Sequence, residues 1–511
     1  ARDGLDAAVL DGWLRCLGFT GGDAGYELFQ ERMISAGGYE AVSGWGRAET
    51  PQILANSSGQ DLHIPGHARA HGVVVHPSPD LDAGVGWVNP DISGRVQVEA
   101  RITHAHPACG NGVTWSLEWR RGSLHRVLAA GVAAASVAGN AKADEDSHWR
   151  LFVGDHTDPV VRAVELNDGT EAGRFDLDSY ATLHRSNSGR TVFAVQGEAG
   201  KVAIFRSGLA LEDHGEHVDL DIDEPERLET AFSGEKPAHF FENGGRIAMF
   251  YDGEGRAEIF PEGQVLDGKF SPLTLDVGEP HHGLAASFGD YVIHSVPDPE
   301  DASRRPVALR IKDASGNQVG EDVACPGLHG QAGSGGVLAF GCHDGIVVAM
   351  SAGSSGPELR HVSTAELGEG NVSTLRGGTA LQFFLTNYGP SAVVLVEPGA
   401  ETTFRKVDLP MRRVDFAVDP AKTRNTYILT EDGKLHLLDV LSGKIEKSLQ
   451  LTEPYSMDGH WRDPRPRLAV AGDYLAVTDP LKGVIRLVNT DSFAEERTIT
   501  VEGMPYTIVA V

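Results

Sequence analysis

The stretch GRTVFAVQGEAGKVAIFRSG, residues 189–208, consists of an apolar run, a short turn and a second apolar run. Valine, isoleucine and phenylalanine favour strands, and a glycine-containing turn between two such runs predicts an antiparallel β-hairpin. The same shape recurs at residues 245–263, 336–353, 380–399, 425–443 and 473–492. A repeat of about 40–50 residues with several strands in each unit is typical of a β-propeller blade.

A landmark position precedes each of these six hairpins, and two further landmarks, His282 and Pro505, follow the same spacing and complete the blade count. The landmarks are His184, His239, His282, His329, Asn371, Asp415, His460 and Pro505. Their successive intervals are 55, 43, 47, 42, 44, 45 and 45 residues. Eight landmarks predict an all-β propeller of eight blades, with seven as the alternative if one unit is misread.

The two ends of the repeat region complement each other. Residues 149–166, WRLFVGDHTDPVVRAVEL, form a hairpin pattern that lacks a first strand, whereas the final YTIVAV is a single strand without a hairpin. Together they predict one blade built from both chain ends, which removes the open edges of the ring. The propeller is therefore expected to span residues 149–511.

The segment before the propeller has a different character. Residues 1–50 contain short helical patterns, and residues 60–120 alternate as strands do. The motifs HIPGHARAHGVVVHPSP and HAHPACGNGVTWSLEWRRG resemble a β-sandwich-like module of large secreted, cytochrome-containing proteins of environmental bacteria. We therefore expect a small helix-plus-β-sandwich-like module at residues 1–130, for which the resemblance implies no reaction.

Residues 120–149, RRGSLHRVLAAGVAAASVAGNAKADEDSHW, combine a basic start, an apolar stretch and an Ala-Lys-Ala sequence. This is the order of a secretory signal peptide, although it lies inside the chain. It suggests two joined units, the second of which begins near Asp144 after export. An alanine-rich linker at residues 131–148 that resembles a signal by chance is the alternative.

Composition limits the function classes. The 511 residues carry a formal net charge of −28, which disfavours nucleic acid as a partner and is compatible either with attraction of cations or simply with solubility. No apolar run reaches the roughly 20 residues that a membrane span needs. We expect a globular protein that does not span a membrane and is a monomer.

Four cysteines are present, at positions 16, 109, 325 and 342, and none of them forms a CxxC pair. A cysteine-rich zinc site is therefore not expected. Cys325 and Cys342 flank a predicted loop and strand. A disulfide between them suits an exported protein, and two buried free thiols are the alternative.

Five of the eight landmarks are histidines, namely His184, His239, His282, His329 and His460. The innermost strands of a propeller line its channel, so residues just before them gather at one mouth. Converging imidazoles suit Zn²⁺, which takes histidine nitrogen and carboxylate oxygen. Glu242, Glu279 and Asp458 are the candidate carboxylates.

A second candidate cluster is LEDHGEHVDLDIDEP, residues 211–225, in which His214 and His217 lie among acidic residues. Such a cluster offers exchangeable metal ligands, and a solvated acidic loop is the alternative. In EPHHGLAASF, residues 279–288, His282 occupies the landmark position. We therefore expect His282 to face inward and His281 to point elsewhere, as an alternate ligand or a hydrogen-bond partner.

Several separated motifs together resemble the AztD-type periplasmic zinc metallochaperones. They include WRLFVGDHTDPVVRAVEL, DHGEHVDLDID, KPAHFFENGGRIAMFYDG and PYSMDGHWRDPRPRLAV, and the resemblance covers about residues 149–511. It implies an exported propeller that binds Zn²⁺ and hands it to the zinc-specific solute-binding protein of an ABC importer. The family's histidine positions correspond here to His214, His217, His239, His281, His282, His329 and His460.

Two other function classes compete with zinc delivery. One is a propeller hydrolase or lactonase that uses a channel-bound divalent ion and water. Such sites rely on aspartate, asparagine and glutamate more than on histidine, and the chain has neither a GxSxG triad setting nor an HExxH motif. The other is a propeller that binds only proteins. The sequence therefore predicts a metallochaperone and not an enzyme.

Overall fold

The computed structural model describes residues 148–213, 218–351, 356–399 and 402–511. Within the first 147 residues it describes 32–34, 40–46, 52–58, 60, 62–63, 67–68, 73–76, 113–121 and 124–133. The chain divides into two compact units, Ala1–Lys142 with Glu212–Asp219, and Ala143–Leu211 with Leu220–Val511.

The second unit contains eight successive antiparallel sheets in its described residues, which we number as blades 1 to 8 along the chain. Blade 1 consists of Arg150–Asp155, Val160–Glu165, Glu171–Asp176 and the C-terminal Pro505–Ala510; blade 2 of Thr182–Arg185, Thr191–Gln196, Lys201–Arg206 and a split outer edge, Glu226–Arg227 and Phe232–Ser233; blade 3 of Pro237–Asn243, Arg246–Tyr251, Arg256–Pro261 and Leu273–Asp276; blade 4 of Ala285–Phe288, Tyr291–Val296, Ala308–Lys312 and Gln318–Ala324.

The remaining blades repeat this order. Blade 5 consists of Gln331–Ser334, Val337–Gly341, Gly345–Ser351 and Pro357–Ser363; blade 6 of Leu375–Arg376, Phe384–Asn387, Ala392–Glu397 and Thr403–Asp408; blade 7 of Arg413–Val418, Asn425–Thr430, Lys434–Asp439 and Lys444–Gln450; blade 8 of Leu468–Ala471, Tyr474–Asp479, Val484–Asn489 and Ala494–Thr500. A further hairpin pairs Leu209–Asp213 with Val218–Ile222. Three short helices accompany the described strands, Glu262–Leu266, Ala365–Leu367 and Pro480–Lys482.

The hairpins predicted from the sequence are the second and third strands of the blades. In blade 2, every residue of Thr191–Gln196 is buried, because both faces of an inner strand pack against neighbouring blades. The outermost strand of blade 4, Gln318–Ala324, is mostly exposed. The eight-bladed all-β propeller predicted from the sequence is therefore confirmed.

Blade 1 is closed by both chain ends, as the sequence predicts. Pro505–Ala510 pairs antiparallel with Arg150–Asp155, and the backbones of Arg150 and Val511 exchange two hydrogen bonds of 2.9 Å. The buried Arg162 guanidinium of this blade lies 3.2 Å from the carboxylate of Glu502, just before the closing strand. Strand pairing and this ion pair thus close the ring.

The described residues of the first unit form strands and short turns. Arg32–Ile34, Val42–Gly46, Gln52–Asn56 and Val73–His76 form a four-stranded sheet, and Leu62–His63 pairs with His67–Ala68. Val113–Arg121 pairs with Leu124–Ala133, so the start of the alanine-rich stretch is a strand. Of the helical patterns predicted within residues 1–50, LDAAVLDGWLRCLGF at residues 5–19 lies outside the described residues. The boundaries 1–130, 131–148 and 149–511 stay predictions. Among the described residues, no helix is long and apolar enough to cross a membrane.

A disulfide joins Cys325 and Cys342. Both residues are fully buried in the core between blades 4 and 5, with Leu328 and Phe340 among their neighbours. The bond closes a loop of 17 positions along the chain. The predicted disulfide is therefore confirmed, and the alternative of two buried free thiols is wrong.

We expect the double substitution Cys325→Ala with Cys342→Ala to lower the free energy of unfolding by about 3 kcal/mol. Cross-linking a loop of about 15 residues reduces the entropy of the unfolded chain and raises its free energy by about that much. Urea unfolding followed by tryptophan fluorescence would measure the loss. Adding reductant should destabilise the wild-type protein and leave the double variant unchanged. Equal stability of the wild-type protein with and without reductant would contradict the bond.

Candidate metal centre

Three consecutive blades each supply one histidine to the same place. His239 lies in the first strand of blade 3, whereas His282 and His329 lie just before the first strands of blades 4 and 5. The strand of His239 contains a bulge between Pro237 and His239, and such an irregularity turns the following side chain. The landmark pattern of the sequence therefore brings three of its five histidines together.

The three imidazoles are close enough to share one ion. Each offers one ring nitrogen, and these atoms all lie within 4.8 Å of one another. Nε2 of His239 is 3.3 Å from Nε2 of His282. Zinc–nitrogen bonds of about 2.0–2.1 Å in a tetrahedral shell place two ligand nitrogens about 3.3 Å apart. The spacing of this pair therefore matches a zinc shell without further movement.

Hydrogen bonds on the opposite ring nitrogens orient two of the rings. Nδ1 of His282 is 2.6 Å from Oδ2 of Asp252, and Nδ1 of His329 is 2.7 Å from the backbone oxygen of Ser373. A carboxylate and a carbonyl both accept here, so Nδ1 carries the proton in each ring. Nε2 of each ring then has its lone pair free for a metal, which is the arrangement found around zinc.

Partial burial favours the neutral, ligating form of His239 and His329. Burial, together with the neighbouring His282 and His329, holds the pKa of His239 well below its ordinary value of 6.5. Burial also lowers the pKa of His329, against the opposing effect of its hydrogen bond to Ser373. Because a protonated imidazole cannot ligate, these shifts keep both rings ready for a cation at neutral pH.

His281 faces away from the three histidines. Its side chain is buried, and both ring nitrogens are hydrogen-bonded, Nδ1 to the oxygen of Glu279 at 2.6 Å and Nε2 to Oγ of Ser295 at 2.8 Å. The ring also packs edge-on against Phe250. The structure therefore gives His281 the hydrogen-bonding position that the sequence offers as one of two alternatives.

His184 and Glu242 also lie apart from the shared position. The ring of His184 stacks on Phe240 with centroids 5.1 Å apart, and burial lowers its pKa to about 4. Among the described residues, its Nε2 has no hydrogen-bond partner. Oε2 of Glu242 accepts the backbone N–H of Asn187 at 2.6 Å. Neither residue is in the three-histidine group.

The remaining predicted ligands lie apart from the three-histidine group or outside the described residues. His460 is exposed, with its ring tilted against that of Trp461, and its Nδ1 accepts the N–H of Arg462 at 3.2 Å. Asp458 pairs with Arg412 at 2.8 Å. Both stand on the segment before blade 8, outside the three-histidine group. His214 and His217 lie outside the described residues. Glu279 contributes its backbone oxygen to His281 rather than a carboxylate to the group.

Sequence reasoning did not find Asp252 or the carbonyl of Ser373. Asp252 sits in the Tyr-Asp-Gly-Glu-Gly turn of blade 3, where an aspartate is expected for turn formation alone. A backbone carbonyl leaves no side-chain signal at all. A second group of described side chains, Cys342, Asp344 and His361, is close enough together to hold a metal ion. The Cys342 sulfur, however, is in the disulfide and offers no thiolate.

Eight blades and three imidazoles that converge between adjacent blades are the features expected of a metal-binding propeller. No family model matches the chain. The zinc chaperone AztD of Citrobacter koseri, however, is 48% identical over 371 residues, which are 72% of this chain and 88% of that protein. The chain therefore belongs to the AztD family of zinc chaperones.

Solved structures agree with this assignment. A crystal structure of Citrobacter koseri AztD gives a TM-score of 0.69 at 47% identity, covering 71% of this chain and 98% of that chain. The apo AztD structure of the same organism gives 0.68 at 46% identity, with the same coverage. Family membership confirms the resemblance drawn from the sequence and the prediction of a metallochaperone rather than an enzyme.

Proposed function

We propose that this protein binds Zn²⁺ through Nε2 of His239, His282 and His329. The observation that carries the proposal is the convergence of three imidazole nitrogens within 4.8 Å, two of them on rings whose Nδ1 is already hydrogen-bonded. Three protein ligands leave the fourth tetrahedral position of zinc open. An open position suits a cargo ion that must later be passed on.

The site is built for exchange rather than for permanent storage. The side chain of His282 is 43% exposed, so an incoming ligand from another protein has access to one edge of the ion. His239 and His329 are half-buried and hold the ion from inside. Zinc would therefore move to an acceptor through a shared shell, with a new ligand bound before the old ones leave.

The acceptor we propose is the zinc-specific solute-binding protein of an ABC importer. The sequence motifs that resemble AztD-type metallochaperones support this partner, and so does the name of the relative, a zinc chaperone. The net charge of −28 favours accumulation of cations around the protein. Residues His214 and His217 would form a second, exchangeable site. His184, His460, Glu242 and Asp458 stay predicted as ligands away from the three-histidine site, and His281 as a hydrogen-bond partner.

The proposed location is the periplasm, with the protein acting as a monomer. The disulfide between Cys325 and Cys342 supports an oxidising compartment, because cytosolic thiols are kept reduced. The signal-like sequence before Asp144 supports export of the propeller region. We further propose residues 1–130 as a separate module, joined to the propeller by residues 131–148.

Direct transfer can be tested with the zinc-loaded protein and the metal-free solute-binding protein. We expect transfer to go nearly to completion in the presence of excess EDTA, because an ion passed through a shared shell is never free in solution. Metal content after chromatographic separation would measure the transfer. The matched control is free Zn²⁺ added under the same conditions, which EDTA should capture. Equal capture by EDTA in both cases would contradict direct delivery.

A further inference from the structure

The turn Asp252-Gly253-Glu254-Gly255 joins the second and third strands of blade 3. In the sequence it belongs to the hairpin repeat and has no further role. In the structure it lies between the two chain segments that lead into His239 and His282. We call these four residues the Asp252 turn.

One side of the Asp252 turn is fastened to the segment before His239. The backbone N–H of Asp252 donates to the oxygen of Lys236 at 2.9 Å, and that of Gly253 to the oxygen of Glu235 at 3.0 Å. A Cβ at Gly253 would lie 2.9 Å from the Glu235 oxygen, closer than side chains allow. The two backbones are therefore in direct contact, three to four residues ahead of His239.

The other side is fastened to the segment before His282. The N–H of Val277 donates to the oxygen of Gly255 at 2.9 Å, and a Cβ at Gly255 would overlap the oxygen of Gly278. Gly255 also has a φ of +59°, which favours glycine. Because both contacts are made by backbone atoms, the Asp252 turn sets the distance between the two histidine-bearing segments.

The side chain of Asp252 then fixes the direction of the His282 ring. Its carboxylate is only 17% exposed and accepts from Nδ1 of His282 at 2.6 Å. A charge-assisted hydrogen bond of this length, partly shielded from water, is stronger than one between neutral groups. It holds Nε2 of His282 toward Nε2 of His239, and it makes the imidazole a better donor to a metal.

The three ligands are not held alike. His329 is oriented by the backbone oxygen of Ser373, which no side-chain substitution removes. His282 is the most exposed of the three residues, with 43% of its side chain accessible, and the replaceable side chain of Asp252 orients it. We infer that Asp252 is the positioning residue of the three-histidine site and controls how firmly His282 holds the ion. This inference rests on the proposed function.

The test compares the full-length Asp252→Ala and Asp252→Asn variants with the wild-type protein. Loss of a carboxylate behind a ligating histidine costs about 10–100-fold in metal affinity. We expect that loss for Asp252→Ala in competition with a fluorescent zinc chelator, with a correspondingly faster release. Asparagine can still accept from Nδ1 without charge, so Asp252→Asn should recover part of the affinity.

Two further measurements separate positioning from general damage. Cobalt(II) bound to Asp252→Ala should show a changed visible absorption spectrum, because the ligand geometry differs, while the metal-free melting temperature should stay close to that of the wild type. Asp290→Ala is the matched control, since Asp290 is an 87% exposed turn aspartate whose only described ion pair is with Arg246 at 3.7 Å. It should bind zinc as the wild type does.

The outcomes are distinct. If the wild-type protein binds Zn²⁺ tightly and both Asp252 variants match it in affinity and cobalt spectrum, the positioning role is overturned while the zinc site stands. If the wild-type protein binds no Zn²⁺, the proposed function fails and this inference fails with it. If Asp252→Ala does not fold, the partial loss expected for Asp252→Asn decides the question.

Discussion

Replacing His282 and His329 together by alanine is expected to remove tight zinc binding. Four-ligand structural zinc sites bind with about 10–16 kcal/mol, so each ligand contributes about 3 kcal/mol. Loss of two ligands then costs about four powers of ten in the dissociation constant. Equilibrium dialysis with Zn²⁺, or competition with a chelator of known affinity, measures the change directly.

The pair is chosen because the two rings approach the ion from adjacent blades and are oriented independently. Asp252 orients His282 and the oxygen of Ser373 orients His329, so neither substitution repairs the other. His239 alone would remain, with a pKa already lowered by burial. A single imidazole cannot complete a zinc shell.

His460→Ala is the matched control for the double variant. His460 occupies the corresponding landmark in blade 8, but it is exposed and contacts Trp461, outside the three-histidine group. We expect its affinity to equal that of the wild type. Unchanged tight binding in the double variant, or a large loss in His460→Ala, would contradict the assignment of the ligands.

The fold could be predicted from the sequence because its signals are local. Each hairpin occupies 18–20 consecutive residues, such as residues 189–208, in which two apolar runs flank a turn. Blade closure also left a local signal, since one chain end lacks a strand and the other provides it. The helical pattern before the propeller has no such test, because residues 5–19 lie outside the described residues.

The site could be predicted only in part, because spacing along the chain does not give side-chain direction. His239 and His184 both lie within first strands, yet His239 follows a bulge and reaches the group, whereas His184 stacks on Phe240. His460 lies eight residues before Leu468, where the first strand of blade 8 begins, so it is on a long connecting segment and not next to the strand. Asp252 is 30 residues from His282, and only the packing of the turn brings them together.

Deleting residues 505–511 is expected to destabilise the whole propeller, because it removes the closing strand of blade 1. Tyr506, Ile508 and Val511 are buried at this chain end. Ile508 belongs to the core between blades 8 and 1, and Val511 belongs to the core between blades 1 and 2. Burial of each large apolar side chain contributes about 1.5–3 kcal/mol, so the deletion costs about 5 kcal/mol or more. Natural domains have only about 5–15 kcal/mol in total.

The deletion would also expose the backbone of Arg150–Asp155 as a new sheet edge, and such edges promote association between chains. We therefore expect a lower melting temperature together with oligomers in size-exclusion chromatography, and weaker zinc binding as the blades loosen. Val509→Thr is the matched control, since Val509 is only half-buried and threonine keeps the branched strand side chain. A monomeric truncated protein that melts as the wild type does would mean that the ring is held by blade-to-blade packing alone, without its closing strand.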